Sequence, residues 1–194
     1  FLRKNKFFKN IIYKIGEKRA YNVLNDIEKF IKKNDDILDI GSGTCNVCEV
    51  LLKKGYNVTA LDVKDISFVN GLKPNLYKEG EAIPFSDNSF DASLMLTILH
   101  HAQDPEKIIK EAMRISKKIV IIEDIYSNKF HKYLTYFFDS IFNLEFINHP
   151  HNNKTDNNWK DLFFKSGLIL VDAQYSNSFL IFKQATYFLS KQEY

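Results

Sequence analysis

Apolar residues recur at helical spacing through the first 31 positions, at Phe7, Phe8, Ile11, Ile12 and Ile15 and then at Tyr21, Val23, Leu24, Ile27, Phe30 and Ile31. Polar residues fill the intervals, so two amphipathic helices are predicted, broken near Gly16. After Asn34, Asp35 and Asp36 the pattern changes to short apolar runs. Residues 37–40 predict a buried strand, and 46–54 a helix that Gly55 stops. A second strand over 57–61 ends at Asp62. A weaker third over 75–78 follows a connection punctuated by Gly71 and Pro74, with room for little helix.

Residues 90–97 predict a fourth strand, Asp104 and Pro105 open a helix with proline in its first position, and 118–123 predict a fifth strand. Strands alternating with helices imply a parallel sheet. An aromatic helical stretch over 129–142 and a polar loop over 148–158 follow. A helix from about Asp156 to Lys165 is ended by Gly167, and the runs 168–174 and 178–182 predict a closing antiparallel hairpin at the sheet edge. The expected fold is α/β: a doubly wound, mostly parallel seven-stranded sheet with a C-terminal antiparallel hairpin.

A chain of 194 residues, 45% hydrophobic, is enough for one core and too short for two full domains. The expected division is a basic helical lid (1–33), a ligand-binding core (34–128), an inserted helix and loop (129–158) and a closing helix and hairpin (159–194). No apolar run approaches the roughly 20 residues that span a bilayer. Lys and Asn interrupt every apolar run of the first fifteen residues, which argues against a secretory signal.

The net charge of +3 conceals an asymmetry: the first 33 residues carry ten Lys or Arg against Glu17, Asp26 and Glu28, leaving about −4 for the rest. The basic end suits a solvated face or weak contact with an anionic membrane surface, and nucleic acid is not an expected partner. The two cysteines, Cys45 and Cys48, fall on the first turns of a predicted helix, where a mutual disulfide is geometrically poor. A reducing, cytoplasmic setting is expected. One Cys-x-x-Cys without a second pair falls short of a zinc signature, so no metal is expected.

Gly41, Ser42 and Gly43 follow a buried strand and open a helix, a junction where backbone approaches a ligand closely and helix N–H groups face it. Asp62 ends the next strand, placed to accept hydrogen bonds from both hydroxyls of a ribose. These residues alone fit a dinucleotide oxidoreductase using NAD as well as any other nucleotide-binding protein.

Three further features separate the readings: Asp39 two residues before Gly41, the block from Glu79 through Pro84 and Phe85 to Asp91, and the segment from Leu96 to His100 and His101. Over about residues 17–123 this ordered set resembles the class I S-adenosylmethionine-dependent methyltransferases, in particular their small-molecule branch. The resemblance implies that Asp39, Gly41, Ser42 and Gly43 cradle the methionine end of S-adenosyl-L-methionine. It further implies that Asp62 holds the ribose, Val63 flanks the adenine, Glu79 and the Gly80 N–H meet the adenine edge, with Glu81 the other acidic candidate, and Thr97 lies beside the sulfonium. The chain departs from the family at Cys45, where a third glycine is usual.

Methyl transfer to a small-molecule oxygen or nitrogen needs positioning and water exclusion, and a base where the acceptor is a hydroxyl. His101 is the first candidate for that base. Glu123, at the carboxyl end of the fifth strand, is a second, either facing the acceptor or capping a helix. Tyr126, His149 and His151 are candidates for contact with the acceptor. A catalytically silent cofactor-binding subunit with a basic docking helix is the remaining alternative.

Overall fold

A computed structural model describes residues 6–126, 152–178 and 182–192. Among these, the elements in chain order are α1 (Lys6–Ile27), β1 (Asp36–Ile40), α2 (Asn46–Lys53), β2 (Asn57–Asp62), β3 (Asn75–Leu76), β4 (Phe90–Leu96), α3 (Pro105–Ile115), β5 (Ser116–Ile125), α4 (Asp156–Lys165), β6 (Leu168–Ser178) and β7 (Phe182–Lys191). The strands form one seven-stranded sheet in the order β3-β2-β1-β4-β5-β7-β6. The pairings from β3 to β5 are parallel, and β7 is antiparallel to both β5 and β6.

The central strands are apolar on both faces, as a sheet covered on both sides requires. Leu38, Ile40, Met95, Ile119 and Ile121 pack on one side with Ile109, Ala112 and Ile115 of α3 and Trp159 and Phe163 of α4. Ile37, Leu94, Leu96, Val120 and Ile122 pack on the other with Ala20, Val23, Leu24 and Ile27 of α1 and Val50 and Leu51 of α2. Alternation along each strand thus divides one apolar run between two cores.

α1 runs unbroken through Gly16, and the two helices expected from the sequence are one. Gly16 serves proximity rather than interruption: a Cβ there would lie 2.4 Å from Asn46 Oδ1, so any larger residue would displace the Asn46 amide at the start of α2. The same junction is fastened by the Tyr13 hydroxyl, which donates to Glu49 at 2.8 Å. α3 begins as its sequence predicts, with the Asp104 side chain accepting from the Lys107 N–H and Pro105 in the first position.

The hairpin departs from expectation in its register. β6 continues through residues 175–177, which were expected to turn, and β7 begins at Phe182, the expected end of the second strand. A register shift between Leu170 and Asp172 bulges the edge strand, a device that blunts an open edge. No helix among the described residues is long and apolar enough to cross a membrane.

Candidate cofactor and acceptor site

The chain leaves β1 toward β2 on one side and later leaves β4 toward β5 on the other, so a crevice opens at the carboxyl ends of β1 and β4. A cavity of about 550 Å³ occupies it, within the roughly 300–1,000 Å³ typical of small-molecule sites. Asp39, Gly41, Ser42, Gly43, Asp62, Val63, Glu79, Thr97 and His101 all line it. Gly80 lines a smaller adjoining recess of about 280 Å³, which shares Tyr77 and Glu79 with the main cavity.

The β1–α2 turn is built from left-handed backbone at Gly41 (φ 75°), Gly43 (φ 53°) and Cys45 (φ 60°). A Cβ at Gly41 would stand 2.6 Å from Ile98 Cγ2, whereas one at Gly43 would meet nothing closer than 3.9 Å, which leaves that position open toward the cavity. Cys45 adopts the glycine-like conformation at the usual third glycine position, fully buried, at a cost of about 1 kcal/mol.

The N–H groups of the turn's first three residues are engaged within the protein. Gly41 and Ser42 donate to the Leu61 carbonyl at 2.8 and 3.0 Å, and Gly43 donates to Asp62 Oδ2 at 2.8 Å. With those donors consumed, the wall presents Cα surface and the carboxyls of Asp39 and Asp62. That chemistry suits a cation and a ribose better than a pyrophosphate. Asp62 also accepts from the Lys64 N–H, which fixes its carboxylate while leaving lone pairs for hydroxyls.

Asp39 is 2% exposed and accepts from the Cys48 thiol at 3.1 Å. Burial, with Asp62 nearby, raises its carboxyl from 3.8 to about 7, against the lowering effects of Cys48 and of Arg19. Burial and Asp39 in turn push the Cys48 thiol well up, so it remains a donor.

At the end of β4, Thr97 takes a positive φ of 58°, an uncommon conformation for a β-branched residue and of the kind stored at functional sites. Its N–H donates to the Ile122 carbonyl at 2.7 Å, and its hydroxyl accepts from Arg19 Nη2 at 2.6 Å. Beneath this turn Glu123 is fully buried, accepting from the Leu99 N–H at 2.7 Å and meeting His100 Nδ1 at 2.6 Å. Glu123 therefore does not line the cavity; it holds the turn that does. His101 packs against His100 with ring centroids 3.9 Å apart and the rings tilted by 43°, and it lines the cavity.

Glu79 is exposed, and Oε1 accepts from the Gln103 N–H at 3.1 Å; the Gly80 carbonyl accepts from Lys107 Nζ. The block around Pro84 is a structural fastening. Arg114 donates to the carbonyls of Ile83 and Phe85, to Asp87 and twice to Glu111, and Glu111 accepts from the Ile83 N–H. Tyr126 lies just beyond β5 and is not part of the cavity lining; His149 and His151 lie outside the described residues.

Sequence reasoning expected a helical lid over residues 1–33 but named none of its residues as lining the site. Ile12, Ile15, Gly16, Arg19 and Ala20 line the cavity from α1. Their spacing places them on one helical face, a signal hidden by the expected break at Gly16. Asp124 and Gln184 complete the far end, joined by a 2.8 Å bond from Gln184 Nε2 to Asp124 Oδ1.

Residues 38–122 match the family model described as a methyltransferase domain. With the sheet order and the crevice above, this segment is a class I S-adenosylmethionine-dependent methyltransferase domain, and S-adenosylmethionine is its cofactor. Among its relatives, the demethylmenaquinone methyltransferase of Paenarthrobacter aurescens is 29% identical over 59% of this chain and 48% of its own. The norajmaline N-methyltransferase of Rauvolfia serpentina is 31% identical over 50% of this chain and 37% of its own. The chain spans about half the length, or less, of these two relatives. The solved S-adenosylmethionine-dependent methyltransferase of Methanosarcina mazei shares the fold with a TM-score of 0.63 at 20% identity, over 85% of this chain and 96% of its own.

Proposed function

We propose that this chain transfers the methyl group of S-adenosylmethionine to an oxygen or nitrogen of a small, largely apolar molecule. The observation that carries the reading is the cavity at the β1–β4 crevice, with the carboxyls of Asp39 and Asp62 on one wall and the apolar face of α1 on the other. The bound cofactor supplies an activated methyl on a sulfonium, so the protein's part is to bind, orient and exclude water.

In this reading Asp62 holds the ribose hydroxyls, Glu79 and Gly80 lie at the adenine edge, and Asp39 balances positive charge near Gly41 and Gly43. Ile12, Ile15 and Ala20 close the site from above, as expected of a lid. His101 takes the acceptor's proton where the acceptor is a hydroxyl. Glu123 positions the His100–His101 turn and takes no direct part. Asp124 and Gln184 orient the acceptor's polar end. Norajmaline N-methyltransferase, by its name, methylates nitrogen, in keeping with one of the two acceptor atoms.

Thermal unfolding with S-adenosylhomocysteine and with NADH tests the reading. A saturable rise in Tm with the former alone is expected; a rise with NADH alone would overturn it.

A further inference from the structure

The outward face of α1 carries a pattern that the core does not use. At about 100° per residue, Ile11, Lys14, Ile15, Lys18, Tyr21 and Asn22 fall within an arc of about 120°, on the side of the helix opposite Ala20, Val23, Leu24 and Ile27. All six are exposed, Ile15 by 55%, Ile11 by 40% and Tyr21 by 39%. Apolar and cationic side chains thus share one strip, where a helix face that meets only water would carry polar residues alone.

The strip has one sign of charge. Glu17 is the single acidic residue between positions 10 and 25, and it is half-buried and pairs with Lys53 at 3.5 Å. Lys14 and Lys18 make no ion pair among the described residues. Lys54, exposed just beyond the end of α2, extends the strip, with its Nζ 5.9 Å from the centroid of the Tyr21 ring. Because the chain beyond residue 33 carries about −4 against its basic start, an anionic plane attracts this face and repels the others.

Ile15 belongs to two surfaces. It is exposed on the strip beside Ile11, one turn earlier, and it lines the cavity beside Ile12. Apolar surface therefore runs from the outside of α1 to the lip of the site.

We propose that this face of α1 docks on an anionic lipid bilayer. Lys14, Lys18 and Lys54 meet the headgroups, and Ile11, Ile15 and Tyr21 enter the boundary between headgroups and acyl chains. The cavity lip at Ile15 then lies at the membrane, where an apolar acceptor is concentrated. Docking does not depend on which cofactor the cavity holds; delivery of the acceptor rests on the reading of the acceptor as a small apolar molecule.

Flotation of the full chain with vesicles tests the proposal, using neutral phosphatidylcholine and a mixture with about one-third phosphatidylglycerol, each at about 0.05 M and about 0.5 M salt. Partition into the anionic vesicles is expected to exceed that into the neutral ones by at least about 10-fold at low salt and to fall about 10-fold or more at high salt. The double variant Lys14→Glu, Lys18→Glu is expected to lose at least about 25-fold, since each cation at an anionic surface is worth about 5-fold. Ile11→Ser is expected to lose about 3- to 10-fold through its apolar area. Both variants alter exposed side chains outside the cavity and should keep the unfolding profile and the S-adenosylhomocysteine affinity of the unmutated chain.

No partition of the unmutated chain into anionic vesicles at low salt, equal partition into the two vesicle types, or undiminished partition of the double variant would overturn the proposal. Tighter capture by single-stranded RNA than by vesicles, with Ile11→Ser without effect on either, would assign the strip to nucleic acid and overturn it too. S-adenosylhomocysteine binding retained beside any of these results leaves the cofactor reading intact and removes the docking alone.

Discussion

The two sides of the cavity differ in how completely their polar groups are matched. On the side of α3, Arg114 spends its guanidinium on Ile83, Phe85, Asp87 and Glu111, and at the end of β5 both Glu123 oxygens are engaged. On the side of α1 and α2, among the described residues, the buried Asp39 carboxyl accepts from a thiol, Arg19 lacks a carboxylate, and Asn46 Nδ2 has no hydrogen-bond partner. Saturated groups hold the frame. Unmatched ones mark where a ligand is to complete the structure.

The contrast is broken most forcefully on the saturated side. Glu123→Ala leaves a buried imidazole and the Leu99 N–H without their carboxylate and is expected to cost about 3–5 kcal/mol, read by denaturant unfolding. Arg114→Ala removes bonds to two carbonyls that hold residues 83–87, at an expected cost of about 2 kcal/mol, and Arg114→Lys does not restore it because an ammonium cannot span the fork. A loss below about 0.5 kcal/mol in either would show that these networks do not hold the frame.

The unmatched side behaves in the opposite sense. Burial raises Asp39 from 3.8 to about 7, so the folded protein keeps a proton that the unfolded chain releases, and stability falls as pH rises from about 4 to about 7. The full linkage is a ceiling of about 4 kcal/mol. Asp39→Asn, which keeps an acceptor for the Cys48 thiol but carries no charge, is expected to gain about 1–2 kcal/mol at pH 8 and nothing below pH 4. A variant less stable than the unmutated chain at pH 8 would contradict the sign.

The smallest effect concerns charge. Ionised Asp39 favours the cationic sulfonium over the neutral thioether. The affinity ratio of S-adenosylmethionine to S-adenosylhomocysteine should therefore rise about 3- to 10-fold from pH 6 to pH 8, with its midpoint near Asp39's value of about 7. Titration calorimetry at both pH values reads it, and Asp39→Asn should flatten the change.

Most of the frame was legible because its signals are local. Apolar runs marked the central strands, Asp104 and Pro105 marked α3, and Gly41, Gly43 and Asp62 placed the turn and the ribose acid. The rest depended on contacts distant in sequence. Gly16 has the composition of a helix break, and only the proximity of Asn46, thirty positions later, reveals it as a packing glycine. Glu123 stands at the sheet's ligand-bearing edge, yet its side chain turns inward because the Leu99 N–H and His100 need an acceptor there. The N–H groups of Gly41, Ser42 and Gly43 are claimed by Leu61 and Asp62 on the neighbouring strand, pairings that no local pattern announces.

Titration of S-adenosylmethionine into the unmutated chain and into Gly43→Val at pH 8 tests the central claim most directly. A Cβ at Gly43 meets no protein atom closer than 3.9 Å, so valine there strains the turn at φ 53° and fills ligand space while leaving neighbouring side chains in place. The account predicts saturable one-to-one binding by the unmutated chain and a loss of roughly 100-fold or more in a variant that remains folded. Equal affinity in the two proteins, or no binding to the unmutated chain at millimolar cofactor, would contradict it.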